Sequence, residues 1–290
     1  MNKLVTAILV LTALSAIGAG GHAGASYSTD APIAPATVTD ITVESRNILS
    51  PAAVTVALPE GYSADSPEGW PVVYLLNGHG GNNRSWSTIT RLDSLATEYD
   101  MIFVCPDGRN SWYWDSPVVK EMQMESYIID ELIPYIDSHY RTRADRTGRA
   151  ITGLSMGGHG AMWLALRHLP LFGAAGSTSG GVDIVPYPTK WNIPDRLGPY
   201  ASNPRRWREH SVKSLTDTLQ PGRIELIFDC GTSDFFYKIN CRLDSTLKAH
   251  GVEHIYLPSP GGHTPQYWRR SIEPQLEFFH KYFNKQSDNP

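Results

Sequence analysis

A serine flanked two residues on either side by glycine, Gly153-Leu154-Ser155-Met156-Gly157, is the stretch of this sequence best suited to chemistry. Between a strand pattern and a helical one, G-x-S-x-G reads as a sharp turn that strains the serine and lifts its Oγ above a sheet. With Gly and Ser each at roughly 7% of residues, chance produces the bare pattern in about one chain of this length in ten. The flanks carry the weight. Arg149 to Thr152 is β-like, and Met156 to His168, with Met162, Trp163, Leu164 and Leu166, is helical and largely apolar, as a helix packed on a buried sheet must be. The bland alternative is a structural glycine-rich turn.

A serine hydroxyl is a weak nucleophile and needs a base in hydrogen-bond reach and a third group to orient that base. Of the ten histidines, His263 is the best base, because Pro258-Ser259-Pro260-Gly261-Gly262-His263 is a loop directly after the final strand pattern. His159 stands one helical turn beyond Ser155 and should project along its own helix, His254 falls inside a strand, and His139, His168, His250 and His280 belong to helices. The acid is Asp229, at a strand end, or Asp234 in the loop beyond it; the one not used would serve loop structure by accepting from backbone amides. A tetrahedral intermediate needs two donors for its oxyanion, usually backbone amides. Met156, the residue after the serine, supplies one, and the loop Asn77-Gly78-His79-Gly80 supplies the other.

His79 has no second ligand at a recognised zinc spacing, so neither a metal nor another cofactor is expected. Trp112, Trp114, Trp191 and Trp207 suit the lining of an aryl or sugar site, and equally suit half-buried loop positions. Cys230 and Cys241 bracket the candidate acid and can close a short disulfide loop; the alternative is that they and Cys105 are small buried hydrophobes.

The elements that must position these residues read as α/β. Ile41 to Val43 and Ala53 to Leu58 alternate as an antiparallel pair at a sheet edge. Pro71 to Leu76 and Met101 to Cys105 are continuous apolar runs, as in strands buried on both faces, with a helix over 91–99 between them. A helix over 121–140 follows, kinked at Pro134, and then the elbow. Later strands are expected at 173–177, 223–228 and 254–257, with helices running to about His250 and from Tyr267 to Tyr282. The alternation implies a mostly parallel sheet with helices on both faces, whose functional groups collect at the carboxyl ends of the strands. From about 180 to 221 the pattern breaks into Pro, Trp, Tyr and Arg, which reads as a lid-like insertion too short for its own core.

Residues 1–25, with Lys3, the apolar run Leu4 to Ile17 and the close Ala23-Gly24-Ala25, match a signal peptide, so export and a single domain over 26–290 are expected. No other stretch approaches the length of a membrane span. A formal charge of −4 offers no face for nucleic acid, and Arg205-Arg206-Trp207-Arg208 reads as a solvated helix face.

Four segments together carry a family resemblance: Leu75-Leu76-Asn77-Gly78-His79-Gly80-Gly81, Gly153-Leu154-Ser155-Met156-Gly157-Gly158, Cys230-Gly231-Thr232-Ser233-Asp234-Phe235-Phe236 and Gly262-His263-Thr264-Pro265-Gln266-Tyr267-Trp268. They resemble the signatures of the esterase D group of α/β-hydrolases, which includes S-formylglutathione hydrolases, feruloyl and acetyl-xylan esterases and mycolyltransferases. The order Ser, acid, His is also that of the α/β-hydrolase fold. The resemblance implies that Asp234 is the acid and that His79 gives the second oxyanion amide. The commoner L-H-G is replaced by Leu76-Asn77-Gly78, so the motif assigns Asn77 no role. The implied activity is carboxylic-ester hydrolysis through an acyl-enzyme, with short acyl or feruloyl esters of carbohydrates preferred over long-chain triglycerides. An acyltransferase with the same residues and a silent binding protein on the same fold are the alternatives. Export argues against S-formylglutathione, a cytosolic substrate. The oligomeric state is not readable.

Overall fold

The computed structural model describes residues 33–287 and gathers eight strands into one sheet. They are β1 (Thr37–Val43), β2 (Ala52–Leu58), β3 (Val72–Leu76), β4 (Ile102–Pro106), β5 (Arg149–Gly153), β6 (Ala174–Thr178), β7 (Glu225–Gly231) and β8 (Ile255–Ser259). Their spatial order is β1-β2-β4-β3-β5-β6-β7-β8. The pairs β1–β2 and β2–β4 are antiparallel and all the others parallel. The leader expected over 1–25 lies outside the described residues.

The period of two in the central strands divides the core. Val72, Tyr74, Leu76, Ile102, Val104 and Ile151 point to one side, and Val73, Leu75, Phe103, Cys105 and Ala150 to the other. Both faces are covered, which is why these strands read as unbroken apolar runs. Helices α1 (Ser85–Ile89) and α2 (Leu92–Tyr99) cover the second side, together with the long C-terminal helix. The first side is covered by α3 (Met124–Ser126) and α4 (Ile133–His139), separated by a π-helical segment, Tyr127–Leu132, and by α5 (Met156–Arg167).

The helix expected over 121–140 therefore starts later and changes pitch. Pro134, at the first turn of α4, has no N–H to donate to the turn before it, and the wider π turn precedes it. The segment 180–221 holds α6 (Ile193–Leu197), α7 (Pro204–Glu209) and α8 (Val212–Thr216). Ile193, Leu197, Trp207 and Val212 join the main core, so the solvated face read in the arginine run has a fully buried tryptophan at its centre. The chain ends with α9 (Tyr237–Ala249) and α10 (Pro265–Ser287).

No disulfide forms: Cys230 and Cys241 are both free. Cys230 is buried in β7, where desolvation pushes its thiol pKa up, and Cys241 on α9 lies 3.5 Å from the Tyr256 hydroxyl. No described helix is long and apolar enough to cross a membrane.

Candidate active site

Ser155 takes φ 57° and ψ −115° between β5 and α5. This backbone region is disfavoured for any side-chain-bearing residue and costs on the order of 1–3 kcal/mol, so the surroundings must enforce it. They do. The Ser155 amide donates to the Thr178 carbonyl at 2.9 Å, and its carbonyl accepts from the amides of His159 at 3.1 Å and Gly181 at 3.2 Å. A Cβ on Gly153 would stand 2.6 Å from the Gly157 carbonyl carbon and oxygen, and one on Gly157 would strike the Leu76 carbonyl. Both glycines are therefore demanded by the closeness of α5 to β3 and β5.

Two loops at the same end of the sheet are zipped together by main-chain bonds. Thr232 N–H donates to Ser259 at 2.9 Å and Ser233 N–H to Gly261 at 2.8 Å. That zipper sets Asp234 beside His263. His263 Nδ1 lies 2.7 Å from Asp234 Oδ2, and His263 Nε2 lies 2.8 Å from Ser155 Oγ. With Nδ1–H donating to the carboxylate, Nε2 is left as an acceptor aimed at the serine hydroxyl. The second carboxylate oxygen accepts from the Phe236 amide at 2.8 Å, and the Asp234 side chain is wholly buried while His263 keeps 17% exposure.

Asp229 stands elsewhere. β7 continues past it to Gly231, and its Oδ2 accepts from Thr178 Oγ1 and Gln275 Nε2, each at 2.6 Å. Burial pushes its pKa up to about 7. Of the two carboxylates weighed from the sequence, Asp234 is the one in contact with His263.

The loop after β3 brings His79 into the lining of the same cleft as Ser155, and Met156 opens α5 directly after that serine. Among the described residues, neither the His79 nor the Met156 amide donates to a protein acceptor. Asn77, undefined by its motif, is the fastener of this loop. Its Oδ1 accepts from Gly108 N–H at 2.8 Å and from the Tyr113 hydroxyl at 3.0 Å, while Nδ2 donates to the Gly78 carbonyl at 2.9 Å.

The cleft holds about 460 Å³ and is lined by Trp112 and Trp191, and also by Phe235 and Trp268. Trp114 is not part of it. Its ring is fully buried, stacks on Trp112 at 5.6 Å and donates Nε1–H to His159 Nε2 at 3.0 Å. Trp207 is also core, donating to the Gly198 carbonyl at 2.9 Å. His159 packs inside this aromatic group, and desolvation pulls its pKa down to about 3. Strained backbone collects at this end of the sheet: Arg109, Trp112, Tyr113, Trp191 and Asn192 share positive φ with Ser155. No three His, Cys, Asp or Glu side chains among the described residues converge as metal ligands.

A mostly parallel eight-stranded sheet in this order, with a strained serine on the turn after β5, defines an enzyme of the α/β-hydrolase fold. The chain belongs to the esterase family: the family model described as "Putative esterase" matches residues 45–279, and the protein is an esterase. It is 28% identical over 229 residues to an acetyl esterase of Caldicellulosiruptor saccharolyticus, covering 74% of this chain and 85% of that protein. It is 32% identical over 240 residues to an endo-1,4-beta-xylanase/feruloyl esterase of Xylanibacter ruminicola, covering 78% of this chain but 29% of that much longer protein. A solved ferulic acid esterase superposes with a TM-score of 0.75 at 28% identity, over 86% of this chain and 99% of its own.

Proposed function

We propose that this esterase is exported and works through an acyl-enzyme on Ser155, hydrolysing short acyl or feruloyl esters of carbohydrates. The observation that carries the mechanism is the unbroken line from Ser155 Oγ through His263 to Asp234, at 2.8 and 2.7 Å. Ser155 Oγ attacks the ester carbonyl as His263 Nε2 takes its proton. Asp234 holds the imidazole in the accepting tautomer and stabilises the cation that forms. The amides of His79 and Met156 receive the oxyanion. The proton passes to the departing alcohol, and water repeats the sequence to free the acid.

The open cleft, which leaves His263 partly exposed, lets water reach the acyl-enzyme and so favours hydrolysis over transfer. For the substrate, support comes from the acetyl and feruloyl esterase relatives and from the walls of the cleft, where the aromatic rings Trp112, Trp191, Phe235 and Trp268 outnumber the aliphatic side chains Ile89 and Leu154. Export is supported by the leader over residues 1–25, with 26–290 as one domain and 180–221 as its lid-like insertion. The test is Ser155→Ala on a panel of acetyl and feruloyl esters: turnover should fall by at least about a thousandfold with the fold intact. A serine-directed fluorophosphonate should label wild type once, on the peptide carrying Ser155. Labelling elsewhere, or a variant that still turns over, would overturn the reading.

A further inference from the structure

Among the described residues, Phe235 is the one Phe, Tyr or Trp side chain left largely in solvent, 50% exposed, and it lines the cleft. Its position is fixed on three sides. Its carbonyl accepts from the Tyr187 hydroxyl at 3.0 Å, and its ring stacks on Trp191 with centroids 5.5 Å apart and planes 22° from parallel. The same ring lies 4.3 Å from the His263 ring. Trp191 is braced in turn by Phe236 at 5.1 Å and by Trp112, whose Nε1–H donates to the Trp191 carbonyl at 2.9 Å. The result is an uncharged stack in which Trp191 backs the Phe235 ring and which ends against the imidazole.

The chemistry of the step fixes which half of the ester meets that surface. In acylation the Ser155 Oγ–carbon bond forms, the carbon–alcohol oxygen bond breaks, and the serine proton travels through His263 Nε2 onto the departing oxygen. That oxygen must lie within hydrogen-bond reach of Nε2, so the alcohol begins on the His263 side. The carbonyl oxygen is held on the other side, by the loop of Gly78 and His79. A sugar ring has an apolar C–H face that stacks on flat aromatic rings and hydroxyls at its rim that stay in water, which suits a platform half open to solvent. We propose that Phe235 and Trp191 form the leaving-group subsite, a stacking platform for the sugar ring that carries the ester. This rests on the acyl-enzyme reading above.

The test holds the acyl group constant and changes the alcohol. Methyl ferulate and a feruloylated xylo-oligosaccharide are compared in wild type, Phe235→Ala, Trp191→Ala and Phe235→Tyr. Phe235→Ala should lower kcat/KM on the oligosaccharide ester, through KM, by about tenfold more than it lowers kcat/KM on methyl ferulate. Trp191→Ala should do the same, and Phe235→Tyr should keep the wild-type preference. The rate of deacylation, measured from pre-steady-state bursts, should not change, because the alcohol has left. An equal loss on both esters, a slower deacylation, or no loss on either would overturn the platform while leaving the esterase reading intact. Turnover of both esters that survives Ser155→Ala would instead remove the acyl-enzyme reading, and the platform with it.

Discussion

His79 Nε2 lies 2.8 Å from Oδ1 of Asn192, and this contact ties the loop after β3 to the first turn of α6 across the mouth of the cleft. Asn192 is held in turn by Asp195, at 2.6 Å from its Nδ2. A second link runs in parallel: Gly80 N–H donates to Asn110 Oδ1 at 2.7 Å, and the Asn110 carbonyl accepts from Arg196 Nε at 3.0 Å. The amide proposed to hold the oxyanion is thus positioned from the far wall. His79→Ala and Asn192→Ala should each lower kcat on a small acetate ester by about tenfold with KM little changed, since a donor that drifts loses transition-state binding first. The double variant should be no worse than either single one. Additive losses in steady-state kinetics would show that the two side chains act separately.

The two carboxylates should part company on substitution. Asp234→Asn reverses the tautomer preference of His263 and should cost about 10³–10⁴-fold in kcat. Asp229→Asn should leave kcat within about tenfold, because that side chain touches Thr178 and Gln275 and not the imidazole. Steady-state kinetics on the purified variants decides it, and the reverse ranking would exchange their roles.

Asp229 also predicts a pH dependence of stability. Its folded pKa is raised to about 7 by burial, whereas in the unfolded chain it is about 3.9. Between those values the folded state binds the extra proton, so the stabilisation is full at low pH and is lost as the pH rises to about 7. The slope approaches about −1.4 kcal/mol per pH unit. Asp229→Asn, which mimics the protonated acid, should gain on wild type in urea-melt stability between pH 5 and pH 8. A gap that does not move with pH would count against a buried proton.

His159 acts in the opposite sense. Burial holds it neutral down to about pH 3, while the unfolded chain takes up its proton near pH 6.5. Its contribution is therefore present above about pH 6.5 and lost as the pH falls toward 3, when protonation at Nε2 would also displace the Trp114 N–H. His159→Gln keeps an acceptor for Trp114 and a donor for the Gly181 carbonyl, and should remove the His159 share of the acid loss, leaving the opposite slope of Asp229 uncancelled, while lowering stability at pH 7 by roughly 1–2 kcal/mol. Because this slope and that of Asp229 oppose one another, wild type should show a shallower profile than either variant, which paired melts at pH 4.5, 6 and 8 will reveal.

The sequence was most legible where local geometry leaves one choice of residue. Only glycine fits beside Ser155, and strands covered on both faces have to be apolar throughout, so the elbow and the central sheet could be read before any contact was known. Asp229 and Asp234 were not separable by position, since the partners that keep Asp229 inside β7 lie 51 and 46 residues away. Trp114 read like Trp112 and Trp191 for the same reason: its destination is set by His159, 45 residues further on. Phe235 and Phe236 are neighbours of one type, yet one is buried and the other faces water, and only the lid segment's Tyr187 and Trp191 decide which.

Positive φ at Arg109, Trp112, Tyr113, Trp191 and Asn192 has a consequence for anyone who breeds this protein for heat tolerance. Glycine would relieve on the order of 1 kcal/mol at each, but at Trp112 and Tyr113 it would also empty the site of a fully buried ring, at a cost of about 3–5 kcal/mol. The cheapest gains lie away from the cleft, at the exposed Leu49 and at Asp100, the left-handed C-cap of α2. A screen that rewards survival alone will therefore collect its first changes there, and the hardiest descendants should keep the walls of the cleft, and their selectivity, unaltered.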